Sequence, residues 1–167
     1  RKLFQREAQA AAVLDHPNVM KLYDYSGPEE ATPYLVLQRL LGIDLGSVLE
    51  HIGPLPEVLV LAIGYEISLA LEHAHSKGII HRDVKPENLF LEPDGRVVLG
   101  DFGIAKIKSP EEGDAPTHAA EKSQLMGTPL YMSPEQLRVG RATPATDIFA
   151  LGGVLFHLMA GIPAFAG

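Results

Sequence analysis

A chain of 167 residues, 46% hydrophobic and 21% charged, is long enough to bury a sizeable core as one soluble globular unit. Its formal charge of −7 argues against a surface for nucleic acid or anionic lipid, since both need clustered Lys and Arg. The absence of cysteine removes any disulfide framework, thiolate metal site or thiol nucleophile, and fits a reducing, cytoplasmic setting. No run of about 18 apolar residues occurs, so no membrane contact is expected from this segment.

In chain order, residues 1–14 read as an amphipathic helix, with Leu3, Ala8, Ala11, Ala12 and Leu14 to one side. Asp15-His16-Pro17-Asn18 stops it, because a helix seldom runs through the residue before a proline. Val19–Tyr25 and Tyr34–Gln38 are β-branched, aromatic and leucine runs separated by turn residues, and are expected to pair as strands. Leu40-Leu41-Gly42 forms a short linker into a helix capped by Asp44 and ending near His51.

Gly53-Pro54-Leu55-Pro56 breaks that helix, and a longer one follows from about Glu57 to Ser76. Its stripe from Leu59 through Ile63 and Ile67 to Leu71 is expected to face the core. Short strands are then expected at Ile79-Ile80, Leu89–Leu91 and Val97–Leu99, the last two joined by the turn Glu92-Pro93-Asp94-Gly95. Residues 107–126 are polar and read as a loop, and a second apolar helix runs from about Pro144 to Ala160. The order is that of an α+β chain in two unequal lobes.

The chemistry concentrates at His81-Arg82-Asp83-Val84-Lys85-Pro86-Glu87-Asn88 and, beyond it, Asp101-Phe102-Gly103. Two acids, a lysine and an amide grouped in this way suit a site that holds a divalent metal and phosphate while a hydroxyl is deprotonated. Asp-Phe-Gly alone reads as a turn, and His-Arg-Asp alone says little more. Together with Gly127-Thr128-Pro129-Leu130-Tyr131 and Ser133-Pro134-Glu135, they resemble the signature set of eukaryotic-like protein kinases. Arg6-Glu7-Ala8, Leu14-Asp15-His16-Pro17-Asn18-Val19 and Gly103-Ile104-Ala105-Lys106 are similar to the bacterial serine/threonine branch.

The resemblance implies a partial protein-kinase-like bilobal fold. It would comprise the C helix and two strands of the small lobe (1–38), a hinge at 39–42, and helices D to F of the large lobe (43–167). An activation segment would span 101–135. ATP and Mg²⁺ are the implied cofactors, and serine or threonine hydroxyls of proteins the implied acceptors. The resemblance further implies that Asp83 orients the hydroxyl and takes its proton, that Lys85 reaches the γ-phosphate, and that Asn88 and Asp101 hold the metal.

The adenine is expected at Leu37, Gln38 and Leu40 over a floor formed by Phe90, with Lys85, Glu87, Asn88 and Asp101 bordering the phosphates. Gly103 would permit the bend that turns Asp101 inward while Phe102 packs. His81, Phe102, Leu22 and Ala11 fall where the family stacks its regulatory spine, and Asp147 matches the acid that anchors the His-Arg-Asp backbone. Glu7 stands where the family's glutamate pairs with a small-lobe lysine. Glu135 stands where an acid pairs with a later arginine that this sequence lacks.

Regulation is expected through Arg82 meeting a phosphorylated Thr117 or Ser123, with Thr128 bonded to Asp83 and Lys85. A kinase-domain dimer could serve that autophosphorylation.

His73 and His75 invite a metal reading. However, two residues apart on a helix they face different ways, so packing or solvation is the simpler role. No Gly-x-Gly-x-x-Gly or Gly-x-x-x-x-Gly-Lys-Ser/Thr run occurs, so the nucleotide's roof and its lysine are expected outside these residues. Two other readings stay open. One is a scaffold that keeps the fold without transferring phosphate, and the other is a small-molecule kinase of the same fold.

Overall fold

The computed structural model describes residues 2–30, 32–102, 130–139 and 142–165, and the side chains of residues 2, 3, 6, 7 and 139 lie outside that description. In chain order the elements are α1 (Lys2–Ala12), β1 (Leu22–Tyr25), β2 (Leu35–Leu37), β3 (Ile43–Asp44), α2 (Leu45–Ile52) and α3 (Glu57–Ser76). A 3₁₀ turn (Pro86–Asn88), β4 (Leu89–Leu91), β5 (Val97–Leu99), α4 (Pro134–Val139) and α5 (Pro144–Ala160) complete them.

Apolar burial divides this α+β chain into two clusters of unequal size. In the smaller, Ala8 and Ala11 of α1 pack on Leu22 of β1, with Tyr25 and Leu35 against them. The antiparallel pair β1–β2 sets Leu22 opposite Leu37 and Tyr25 opposite Leu35, with a shift in register between Leu22 and Asp24. The larger cluster joins α2, α3, α5 and the β4–β5 hairpin through Val48, Ile67, Leu71, Leu89, Leu99, Val154 and Leu158. Each such fully buried aliphatic side chain contributes about 1.5–3 kcal/mol.

The core face of α3 is Val60, Ile63, Gly64, Ile67, Ala70, Leu71 and Ala74. Leu59, expected on that face, is 52% exposed. The helix docks α5 at a slightly different rotation from the one its leucines suggest. By length and composition α3 could cross a membrane, yet these seven residues are buried within the protein.

A three-stranded antiparallel sheet, β3-β4-β5, carries the next part of the chain. Ile43 lies opposite Leu91 and Asp44 opposite Phe90, so the linker enters the larger body as a strand before α2 begins. Asp44 then caps α2, its carboxylate accepting the Ser47 amide at 2.8 Å and the Ser47 hydroxyl at 2.7 Å. The β4–β5 turn closes as expected, with the Gly95 amide donating to the Glu92 carbonyl at 2.9 Å and Gly95 at φ 87°. Ile79-Ile80, expected as a strand, joins no sheet; the Ile79 amide instead donates back to the Ala74 carbonyl of α3 at 3.0 Å.

The expected strand beginning at Val19 starts instead at Leu22, because residues 18–20 are engaged elsewhere. The Met20 amide donates to the Leu99 carbonyl at 2.9 Å, and the Leu99 amide to the Asn18 carbonyl at 2.8 Å. Asn18 is buried. Its amide nitrogen donates to Glu66 Oε2 of α3 at 2.7 Å and to the Val97 carbonyl at 2.8 Å. The same Glu66 oxygen accepts the Val97 amide at 2.7 Å.

Candidate active site

Between α3 and the 3₁₀ turn the chain crosses the larger cluster as an irregular loop, residues 79–85. Its backbone polar groups must find partners outside any regular ladder. Asp147, near the start of α5 and fully buried, supplies them. It accepts the His81 amide on Oδ2 and the Arg82 amide on Oδ1, both at 2.8 Å. These two bonds hold Arg82 at φ 69°, in the left-handed region that non-glycine residues rarely adopt.

His75 Nε2 lies 2.8 Å from Asp147 Oδ2, so the histidine expected to be merely packed or solvated is a third partner of that carboxylate. His73, two residues earlier and facing a different way, accepts the Asp15 amide at Nε2, 3.3 Å. Gln136 of α4 adds a bond from its Nε2 to the Arg82 carbonyl at 3.1 Å.

His81 is fully buried, its Nε2 2.8 Å from the Gly100 carbonyl and its ring centroid 4.6 Å from that of Phe102. Burial lowers its pKa, against the opposing pull of the Gly100 carbonyl and of Asp147, Asp83 and Asp101, so the ring is neutral. Of the four residues expected to stack, His81 and Phe102 touch, while Leu22 and Ala11 pack together in the smaller cluster.

The loop thus fixed brings three of the expected site residues together. Lys85 Nζ lies 3.2 Å from Asp83 Oδ2. Asn88 is buried, and its Nδ2 donates to the Asp83 carbonyl at 2.8 Å and to Asp83 Oδ2 at 3.2 Å. Pro86 stiffens the first position of the 3₁₀ turn, and the extended Lys85 (φ −158°, ψ 161°) leads into it.

Because its nitrogen is committed to Asp83, the Asn88 amide has its oxygen left as the ligand atom. Asp101 is exposed, and it carries the positive φ, 49°, itself. Among the described residues, no group of three or more His, Asp or Glu could hold a metal unaided. One amide oxygen and one carboxylate suit Mg²⁺, a hard ion that keeps water or phosphate oxygens around it.

The residues expected to wall the purine lie on β2, the linker and β4. Leu37 is 38% exposed at the end of β2, and the Gln38 amide donates to the Lys21 carbonyl at 2.8 Å. Leu40 is half-buried on the linker. Phe90 is half-buried on β4 beside Gly100, where a Cβ would come within 3.0 Å of the Phe90 ring. Glu87 is exposed and lies against Gly46 at the start of α2.

Glu135 bonds the Thr146 hydroxyl at 3.1 Å in place of an arginine. Its own backbone amide, then Ser133 and Thr146, hold its carboxyl below the usual range. Gly103, Thr117, Ser123, Thr128 and the Glu7 side chain lie outside the described residues.

Sequence reasoning missed the contact between Tyr131 and α5. The Tyr131 hydroxyl lies 2.6 Å from His157 Nδ1, with the rings stacked at 24°. Burial, with Glu87 nearby, pushes the Tyr131 pKa up to about 12, and burial lowers that of His157. A tyrosine 26 residues before a histidine carries no local signal of such pairing.

The sequence profile described as "Protein kinase domain" matches residues 1–167, and the chain belongs to this family. Among curated relatives, serine/threonine-protein kinase pkn3 of Myxococcus xanthus is 41% identical over 97% of this chain and 30% of its own length. PrkC of Bacillus subtilis is 40% identical over 98% of this chain and 24% of its own length. PknB of Mycobacterium tuberculosis is 35% identical over 98% of this chain and 26% of its own length. The chain therefore spans between about a quarter and a third of these relatives.

Proposed function

We propose that this chain is part of a protein serine/threonine kinase that transfers the γ-phosphoryl group of ATP to hydroxyls of protein substrates. The observation that carries the reading is the convergence of Lys85 and Asn88 on Asp83, at 3.2 Å and 2.8 Å, within a loop clamped by Asp147. Membership of the kinase family and the names of its bacterial serine/threonine kinase relatives support it.

In this mechanism Asp83 orients the acceptor hydroxyl and takes its proton as the new oxygen–phosphorus bond forms. The bond from the γ-phosphorus to the bridging oxygen breaks, and ADP leaves. Lys85 offsets the charge on the transferring group, and its ion pair with Asp83 keeps both groups on one side of the loop. Asn88 and Asp101 would hold Mg²⁺, which when bound would supply charge neutralisation at the phosphates. Leu37, Gln38, Leu40 and Phe90 receive the adenine, and Glu87 stands at the rim. Catalysis of this kind depends on positioning more than on covalent chemistry, which is why the buried anchoring of the loop matters.

Arg82, whose Nε is buried with no hydrogen-bond partner among the described residues, is the residue to receive a phosphate on Thr117 or Ser123, and Thr128 is to bond Asp83 and Lys85. Phosphopeptide mapping of active protein that finds neither Thr117 nor Ser123 modified would remove that part of the proposal. The sequence holds no glycine-rich phosphate loop. The 167 residues alone are therefore expected to bind and turn over ATP poorly.

The decisive experiment is Asp83→Ala in the longest form of the protein that binds ATP. Transfer to a protein substrate should fall by about 10²–10⁴ with nucleotide affinity retained. Unchanged transfer would defeat the reading.

A further inference from the structure

The linker that would meet the adenine edge is held to the hairpin that would form the adenine floor by one carboxylate. Glu92 Oε1, at the end of β4, accepts the Leu41 amide at 3.0 Å and the Gly42 amide at 2.8 Å. A second observation marks the same joint. A Cβ on Gly42 would sit 2.1 Å from the Leu91 carbonyl oxygen and 2.9 Å from Glu92 Cα, so only glycine lets the two backbones approach this closely. Directly after it, Ile43 pairs with Leu91 and Asp44 with Phe90.

At its other end the linker is tied to Lys21, the residue just before β1. The Gln38 amide donates to the Lys21 carbonyl at 2.8 Å, and Gln38 Oε1 accepts the Lys21 amide at 3.3 Å. The linker is therefore pinned at both ends, and only the Glu92 end connects it to the strand carrying Phe90.

We propose that Glu92 is a positioning residue for the nucleotide: by receiving two consecutive linker amides it sets the height of the linker backbone over Phe90, and with it the thickness of the purine slot. The inference rests on the kinase reading above and extends it to a residue that need not touch ATP. A carboxylate suits this role because its charge strengthens both bonds, and one oxygen can accept two adjacent N–H groups. Without it the part-buried Gly42 amide loses its acceptor, and the linker ahead of Ile43 is held to the hairpin only by the two residue pairs of β3 with β4. The adenine would then lose its fit while Asp83, Lys85 and Asn88, held by Asp147, keep theirs.

The test uses Glu92→Ala, Glu92→Asp and Glu92→Gln in the longest ATP-binding form of the protein. KM for ATP, KM for protein substrate, kcat and the nucleotide-free melting temperature are measured for each. The alanine variant should raise KM for ATP about three- to tenfold, the size expected from losing one or two such bonds, with kcat and KM for protein substrate within about twofold. Glutamine, whose carbonyl can accept both amides, should recover most of the loss. Aspartate, one methylene short, should not.

Should the alanine variant fail to fold, the contrast between aspartate and glutamine decides. A raised KM for ATP in aspartate alone supports the proposal, and equal values overturn it. A fall in kcat matching the rise in KM, or wild-type kinetics in the alanine variant, overturns it as well. Loss of the kinase reading itself would appear differently, as wild-type protein that neither binds nor turns over ATP.

Discussion

Asp147 accepts the Arg82 amide at 2.8 Å from 65 residues away in the chain, and Arg82 stands at φ 69°. A backbone conformation that is costly by itself is thus held by a buried charge on another helix. Asp147→Ala would leave the Arg82 and His81 amides without an acceptor and strip His75 of its partner. The expected loss is about 3 kcal/mol or more of unfolding free energy. Equilibrium denaturation checks it, and a loss under about 1 kcal/mol would show that water or relaxation replaces the clamp.

Three histidines should make the fold sensitive to acid. Burial lowers the pKa of His16, with a contribution from His73, and also lowers those of His81 and His157. A group whose folded pKa lies below its unfolded value binds fewer protons when folded. The stability linked to it is present above the unfolded value of 6.5 and lost as pH falls from there through the lower folded value. Tyr131, pushed up to about 12 from 10.0, acts at the other end, its contribution being present below pH 10 and lost as pH rises towards 12. Thermal melts should show stability falling from pH 7.5 to 5.5 and again above pH 10, and a flat profile would contradict the assignment.

The two faces of α3 should separate cleanly. Leu71 is fully buried, and truncating it to alanine is expected to cost about 2–5 kcal/mol. Leu59 is 52% exposed, and Leu59→Ala should change stability by no more than about 0.5 kcal/mol. Similar costs at the two positions would mean that the helix is rotated from the phase described.

That pair also shows where sequence reading stops. The span of α3 was legible because Pro56 and Lys77-Gly78 bound it, and that of α5 because Pro144 opens an apolar run; both helices match their expected limits. The phase of α3 was not, since the docking of α5 selects Val60 and Gly64 over Leu59 and no local pattern records it. The two residues of β3 form only because Leu91 and Phe90 lie beside them, while the Ile79 amide turns back to the Ala74 carbonyl and Ile79-Ile80 joins no sheet. Within the site, Asp83, Lys85 and Asn88 could be read together because they are local in the chain. The contacts of His75 with Asp147 and of Tyr131 with His157 cross 72 and 26 residues and had no such signal.

At the entrance to α2, the Asp44 carboxylate takes both the amide and the hydroxyl of Ser47. Asp44→Ala should destabilise the fold by about 0.5–2 kcal/mol, with Asp44→Asn retaining most of the cap. Denaturant midpoints of the two variants distinguish a capping role from a loss of charge alone.

Asn18, although it precedes the linker in the chain, is fastened to α3 and β5 through Glu66 and Val97, and Arg96 Nη1 bonds the neighbouring Pro17 carbonyl at 2.9 Å. Glu92 fastens the other crossing at Leu41 and Gly42. The smaller cluster is therefore hung on two pins, one just after α1 and one in the linker, like a door on its frame. Both crossings of the chain between the two clusters are thus held by side-chain hydrogen bonds, so the setting of one cluster on the other is fixed at these two joints.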